Sequence, residues 1–188
     1  LDGQPDAIAV LKAMYPYGLV SKTLVSLASD LSPQSATTVL ARLEKLGMIV
    51  EQTVAKIEKK GRPEKINRLT ETGAAWLKHN GVENASILGM SDPVELAHRY
   101  CQALVGVLSP DRSEVEIEKV IPLTGGRNIR IDVVVSLSSG VAQLVEIEQK
   151  LDRKNVQRAV EKFTELGEGS RAGQLHTPYN QDVLFVFN

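Results

Sequence analysis

The sequence predicts an α+β chain in two parts: a helical domain over residues 1–80 that includes a β-hairpin, and a small α/β domain of α-β-β-β-α-β order over residues 93–188. Three observations predict it. Apolar residues recur at spacings of three and four early in the chain, whereas strand-like alternation dominates beyond residue 112. A polar, basic stretch separates two short apolar runs between residues 48 and 69. Residues 81–92 (GVENASILGMSD) have no period and read as a linker.

Pro5 stands where a first helical turn tolerates it. Ala7, Ile8, Leu11 and Met14 then mark one helical face, up to the turn Tyr15-Pro16-Tyr17-Gly18. Ser21 suits the N-cap of a short helix containing Leu24, Val25, Leu27 and Ala28. Ser32-Pro33, a cap followed by proline, opens a third helix whose apolar stripe is Ala36, Val39, Leu40, Leu43 and Leu46. Gly47 closes it at the position after the cap. Strands over 48–53 and 66–69 flank a polar stretch containing Gly61-Arg62-Pro63. Thr70 then caps a fourth helix through Trp76 and Leu77 that ends at Gly81.

The second part opens with a helix over 93–108, with Val94, Ala97, Cys101, Leu104 and Leu108 on one face. Strands follow over 113–121, 129–137 and 141–150, punctuated by Gly125-Gly126 and Ser138-Ser139-Gly140. A helix over 155–166 buries Val156, Ala159, Phe163 and Leu166, and a final strand spans 183–187.

Composition limits the function classes. The chain has 43% hydrophobic and 24% charged residues, a formal net charge of -1 and 4% aromatics, so any nucleic-acid signature must be local and the cores aliphatic. One cysteine, Cys101, rules out an intrachain disulfide, and His79, His98 and His176 show no metal-ligand spacing. No apolar run approaches the roughly 20 residues of a membrane span. The expectation is a cytoplasmic protein with no membrane partner. Leu1 in place of Met, and an end inside a strand-like run, mark the expected chain as a fragment truncated at its C-terminus.

Local charge points to double-stranded DNA. Gln34, Ser35, Thr37, Thr38, Ala41 and Arg42 lie on the third helix opposite its apolar stripe, with side chains short or polar enough to approach base edges. Between Thr53 and Arg68, six basic residues (Lys56, Lys59, Lys60, Arg62, Lys65 and Arg68) face two acidic ones (Glu58 and Glu64). A loop of that charge neutralises phosphates and releases counterions. The bland alternative is a solvated helix face and turn. With the helices, this composes a winged helix-turn-helix. The runs ARLEKLGMIVEQ and KKGRPEKINRLTETGAAWL resemble bacterial regulators of the MarR/PadR type over residues 32–78. That resemblance implies that Arg62 reaches a minor groove or a flanking phosphate.

The second part carries acidic residues where strands should be apolar. Asp132 sits among Ile129, Ile131, Val133, Val134 and Val135, which is costly unless it is paired, exposed or metal-bound. Leu144, Glu146, Glu148 and Lys150 share one face of the third strand by alternation. A carboxylate beside two on the next strand could hold Mg²⁺, and a nearby lysine could stabilise charge on a phosphate. Element order and these residues resemble the PD-(D/E)xK, restriction-endonuclease-like core. Asp132 matches its second-strand Asp, though Ile131 stands where Pro is usual. The third-strand match has two registers, Glu146-Ile147-Glu148 or Glu148-Gln149-Lys150. Glu95 is a further acid on the preceding helix. The resemblance implies catalytic Asp132, Glu146, Glu148 and Lys150, with Asp132, Glu146 and Glu148 as Mg²⁺ ligands. The alternative is that these charges are only the wet face of strands.

Ile131-Asp132-Val133, Val145-Glu146-Ile147-Glu148 and Lys162-Phe163, behind a winged helix, also resemble the replication-relaxation family. That resemblance implies a DNA-binding protein of a plasmid or mobile element, acting in DNA processing or replication control. Its second domain would be a Mg²⁺-dependent endonuclease or a catalytically decayed relative. The other expectation is a homodimeric MarR/PadR-like transcriptional repressor whose second domain dimerises or senses a ligand.

Overall fold

A computed structural model describes residues 5–29, 31–53, 65–83, 85, 87, 93–109, 112–123, 126–148, 152–171 and 179–187. The chain divides into two compact units, Leu1–Leu108 and Ser109–Asn188.

The first unit comprises helix α1 (Pro5–Met14), strand β1 (Leu19–Ser21), helices α2 (Lys22–Ser29) and α3 (Pro33–Lys45), strands β2 (Ile49–Thr53) and β3 (Lys65–Leu69), and helices α4 (Glu71–His79) and α5 (Pro93–Leu108). Its three strands form an antiparallel sheet in the order β1-β3-β2, with Leu19 opposite Arg68 and Ile49 opposite Leu69. Three helices followed by a hairpin that pairs with a short strand after the first of them are the winged helix-turn-helix arrangement. Its core is aliphatic: Val10, Leu11, Met14, Leu24, Val25, Leu43, Ile66 and Leu77 are all buried.

Caps place these helices. Ser32 Oγ accepts the Ser35 amide at 3.1 Å, and Pro33 needs no partner at its position. At the other end of α3, Gly47 adopts φ 68°. Its amide donates to Glu44 O at 2.9 Å, and that of Met48 to Leu43 O at 3.0 Å. This double closure is a Schellman motif, which favours glycine at the left-handed position. Thr70 Oγ1 accepts the Gly73 amide at 3.2 Å and also donates to Gly47 O at 2.6 Å, so the cap of α4 grips the exit of α3. A methyl at Gly73 would overlap the Met48 carbonyl oxygen, so α4 lies directly against the chain leaving α3.

Two features differ from expectation. Strand β1 is unforeseen: its three residues are all buried and show no alternation. Helix α5, assigned by sequence to the second domain, belongs to the first unit. It packs on α2 and β1: Tyr100 Oη lies 3.3 Å from Ser21 Oγ, and Gly106 leaves the space that the Tyr17 ring fills. The helix is amphipathic, but its buried face is not the one read from periodicity: Leu96, Tyr100, Cys101, Ala103, Val105 and Val107 are buried, whereas Ala97 and Leu104 are half-buried and Leu108 is exposed. Cys101 is buried on this helix, and burial pushes its thiol pKa up.

The second unit comprises strands β4 (Arg112–Pro122), β5 (Asn128–Leu137) and β6 (Ala142–Glu148), helix α6 (Arg153–Arg171) and strand β7 (Tyr179–Phe187). The sheet order is β4-β5-β6-β7. The first three strands are antiparallel, and β7 runs parallel to β6. A parallel neighbour needs a crossover, which α6 provides. Phe163 and Leu166 of α6 pack with Ile121, Ile129, Ile131, Val134 and Leu144 in one cluster. No helix among the described residues is long and apolar enough to cross a membrane.

Candidate functional site

In the first unit, the residues singled out on α3 share one solvated face. Gln34, Ser35, Thr37, Thr38, Ala41 and Arg42 are all exposed, while Ala36, Leu40 and Leu43 are buried beneath them. Their hydrogen-bonding capacity is unequal. Ser35 Oγ shares a 2.9 Å hydrogen bond with Ser32 Oγ at the helix start. Thr37 Oγ1 donates to Pro33 O at 2.8 Å, and Thr38 Oγ1 to Gln34 O at 3.1 Å. Of the hairpin's basic residues, Lys56, Lys59, Lys60 and Arg62 lie outside the described residues. Lys65, at the base of the hairpin, is exposed and forms a 2.7 Å ion pair with Glu51 on the neighbouring strand.

In the second unit, Asp132 and Glu146 meet. The antiparallel ladder of β5 with β6 ends at Val133 opposite Val145. Beyond it, side chains take over. Asp132 Oδ2 accepts the Ile147 amide at 2.8 Å, and Glu146 Oε1 accepts the Asp132 amide at a long 3.4 Å. On the other edge of β5, β4 pairs on either side of Asp132, through Ile117–Val133 and Lys119–Ile131. The residue between on β4, Glu118, has φ 54°, an uncommon conformation for a side chain of that size. Asp132 thus sits where β5 is irregular towards both neighbours.

Glu146 and Glu148 are buried, at 4% and 6% exposure, yet each has a cation from α6. Lys162 Nζ donates to Glu146 Oε2 at 2.6 Å and to Arg130 O at 2.9 Å. Arg158 grips both oxygens of Glu148, at 3.0 and 3.2 Å. The spacing explains the match. Two residues along a strand advance about 6.6 Å, and four along a helix about 6 Å, so Glu146/Glu148 and Lys162/Arg158 pair as two rungs with α6 running against β6. Burial raises the Glu146 pKa, the charge of Asp132 adds to the rise, and Lys162 opposes it. Glu148 in turn raises the Arg158 pKa.

Of the residues picked from sequence for this site, Asp132 and Glu146 meet: Glu146 Oε1 accepts the Asp132 amide, and Asp132 Oδ2 accepts the amide of Ile147 next to Glu146. Glu148 lies one rung away and engages Arg158. Lys150 lies outside the described residues, and Glu95 sits on α5 of the first unit. Lys162 and Arg158 were not foreseen as site residues. The available signal was a pair of cations four apart on the helix following a strand with two acids two apart.

No protein-family model matches the chain, and no curated protein matches it. The resemblances to the replication-relaxation and PD-(D/E)xK families therefore rest on their short motifs. Among solved structures, the chain is similar to a MarR-family regulator from Neisseria meningitidis, at 19% identity and a TM-score of 0.34, over 56% of this chain and 62% of that one. It is also similar to an organohalide-sensing transcriptional regulator in its 2,4-dichlorophenol-bound form, at 15% identity and a TM-score of 0.32, over 56% of this chain and 53% of that one. The match spans less than two thirds of either protein.

Proposed function

We propose that this chain is a double-stranded DNA-binding regulator that docks through its winged-helix unit, with α3 against base edges and the hairpin between β2 and β3 on phosphates. The observation that carries this reading is the wholly exposed polar face of α3, held on an aliphatic core and squared off by caps at both ends. A rigid helix with a protruding polar face fits a major groove. The basic residues Lys56, Lys59, Lys60, Arg62 and Lys65 of the sequence between and at the start of these strands supply the charge for phosphate contact. Binding of short duplexes measured against salt tests this. The wild-type chain should lose affinity steeply as salt rises. Reversing Lys59, Lys60 and Arg62 to Glu should abolish binding at moderate salt, and Arg42→Ala should weaken it. Unchanged binding in the charge-reversed protein would sink the proposal. If the chain acts as a homodimer, its target is a pseudo-palindrome with half-sites about one helical turn apart, and sedimentation on and off DNA reads the stoichiometry.

A second reading is favoured by the meeting of Asp132 and Glu146 at the end of the β5–β6 ladder. In it the second unit is a nuclease-like module of a mobile-element protein, with Asp132 and Glu146 as the Mg²⁺-holding pair. Oxygen donors on adjacent strands suit that ion, although three of the four carboxylate oxygens already accept hydrogen bonds, one of them from Lys162. The ion would polarise a phosphate oxygen, and Lys162 would hold Glu146 in place. Mg²⁺-dependent nicking of duplex DNA that disappears in Asp132→Ala and Glu146→Ala supports this reading. Intact DNA binding without nicking leaves the second unit a scaffold.

A further inference from the structure

The hydrogen bonds on α3 determine what its exposed face can read. A threonine hydroxyl has one proton to donate. Thr37 spends its proton on Pro33 O and Thr38 on Gln34 O, each one turn back. Threonines in helices often bond this way. What each then has left to offer is its γ-methyl and an oxygen that can only accept. Ala41, exposed one turn on from Thr37 and three residues on from Thr38, adds a third methyl beside them. The centre of this nominally polar face is therefore an apolar patch of three methyl groups. Gln34, three and four residues before the threonines, and Arg42, four after Thr38, flank it as exposed polar side chains.

We propose that α3 reads pyrimidine 5-methyl groups in the major groove, thymine being the source in unmodified DNA, with Gln34 bonding the adenine of an adjacent A·T pair. This rests on the DNA-binding reading above and makes it specific. The thymine methyl is the one apolar group on a base edge in that groove, and methyl-bearing side chains such as alanine and threonine meet it. A glutamine amide matches adenine N6 and N7 in two hydrogen bonds. A back-bonded threonine has no proton left to donate to guanine O6 or N7 or to a phosphate, so what favours A·T at the centre is the methyl contact with thymine.

The test uses the full chain and duplexes selected by it from a random-sequence pool, then resynthesised with deoxyuridine in place of thymidine. Uracil keeps every hydrogen-bonding group and loses only the methyl. Burying one methyl changes affinity by about fourfold, so wild-type protein should bind the thymine duplex more tightly by about that factor at each contacted position. Thr37→Ser and Thr38→Ser keep the back-bonded hydroxyl and remove the methyl. Each should narrow the thymine preference by about the factor of one methyl contact, the double variant by both, while binding the deoxyuridine duplex as wild type does and retaining the wild-type circular dichroism spectrum. Adding 5-methylcytosine to the deoxyuridine duplexes separates the two sources of such a methyl. Regained affinity extends the contact to methylated cytosine, and no gain confines it to thymine. Equal binding of thymine and deoxyuridine duplexes by wild type would overturn this inference while leaving DNA binding intact, as would a double serine variant with the full wild-type preference for thymine. Absence of binding to any duplex at low salt would overturn both.

Discussion

At the residue scale, Lys162 bears most on the second unit. It is 23% exposed and touches a carboxylate that is almost wholly buried. Replacing it by methionine leaves Glu146 beside Asp132 without its cation. Breaking a pair of this kind costs about 3 kcal/mol or more at neutral pH, which urea denaturation should read as a lowered midpoint. The pH dependence follows from the raised Glu146 pKa. Its folded state holds the proton more tightly than the unfolded chain does. Stability therefore falls as pH climbs from the ordinary glutamate range through the raised value, and levels off above it. Removing Lys162 takes away the influence that lowers this pKa, so in Lys162→Met the fall extends to higher pH and the deficit shrinks on acidification. Glu146→Gln should flatten that part of the profile. A Lys162→Met protein as stable as wild type at neutral pH would mean that the pair carries no net weight. Asp132 and Glu146 were legible in the sequence because a carboxylate amid β-branched residues is conspicuous. Lys162 stood out only within the Lys162-Phe163 motif and Arg158 not at all, because a cation on an amphipathic helix looks the same whether it faces water or a buried acid.

At the scale of elements, the winged-helix unit was mostly written in its caps. Ser32-Pro33, Gly47, Thr70 and Gly81 mark helix ends in the sequence, and the structure closes helices at each. Ser32→Ala should cost about 1 kcal/mol, seen as a lower thermal midpoint, because it removes the acceptor for the Ser35 amide. The same change should weaken duplex binding, since the first turn of α3 carries Gln34. Strand β1 escaped notice because three buried residues carry no period. Helix α6 begins two residues earlier than its periodicity indicated and extends to Arg171. Its C-terminal stretch, Gly167 to Arg171, lacks the apolar spacing that identifies a helix and contains two glycines, so the sequence read it as loop.

At the scale of the whole molecule, the elements follow the order α-β-β-β-α-β along the chain, and the compact units divide after its first helix rather than before it. The first helix of that series packs on α2 and β1 of the winged-helix unit. Periodicity gives an element a face, and only tertiary contact gives that face a partner. The acids of the second unit also bear on the whole fold. Each buried glutamate of β6 already has a cation of α6 within hydrogen-bonding distance. The fold should accordingly have no need of metal. Thermal unfolding in EDTA and in plain buffer should superimpose, and a strong loss of stability on chelation would show that the carboxylates depend on an ion.

The contact at Gly73 has a consequence for how this protein tolerates change. Glycine is among the poorest residues for a helix interior, so replacing it there usually stabilises. Here any side chain would collide with the backbone of Met48. In a saturation library sorted for folded protein, position 73 should admit glycine alone, while the exposed neighbours Glu71, Thr72 and Ala75 should accept nearly everything.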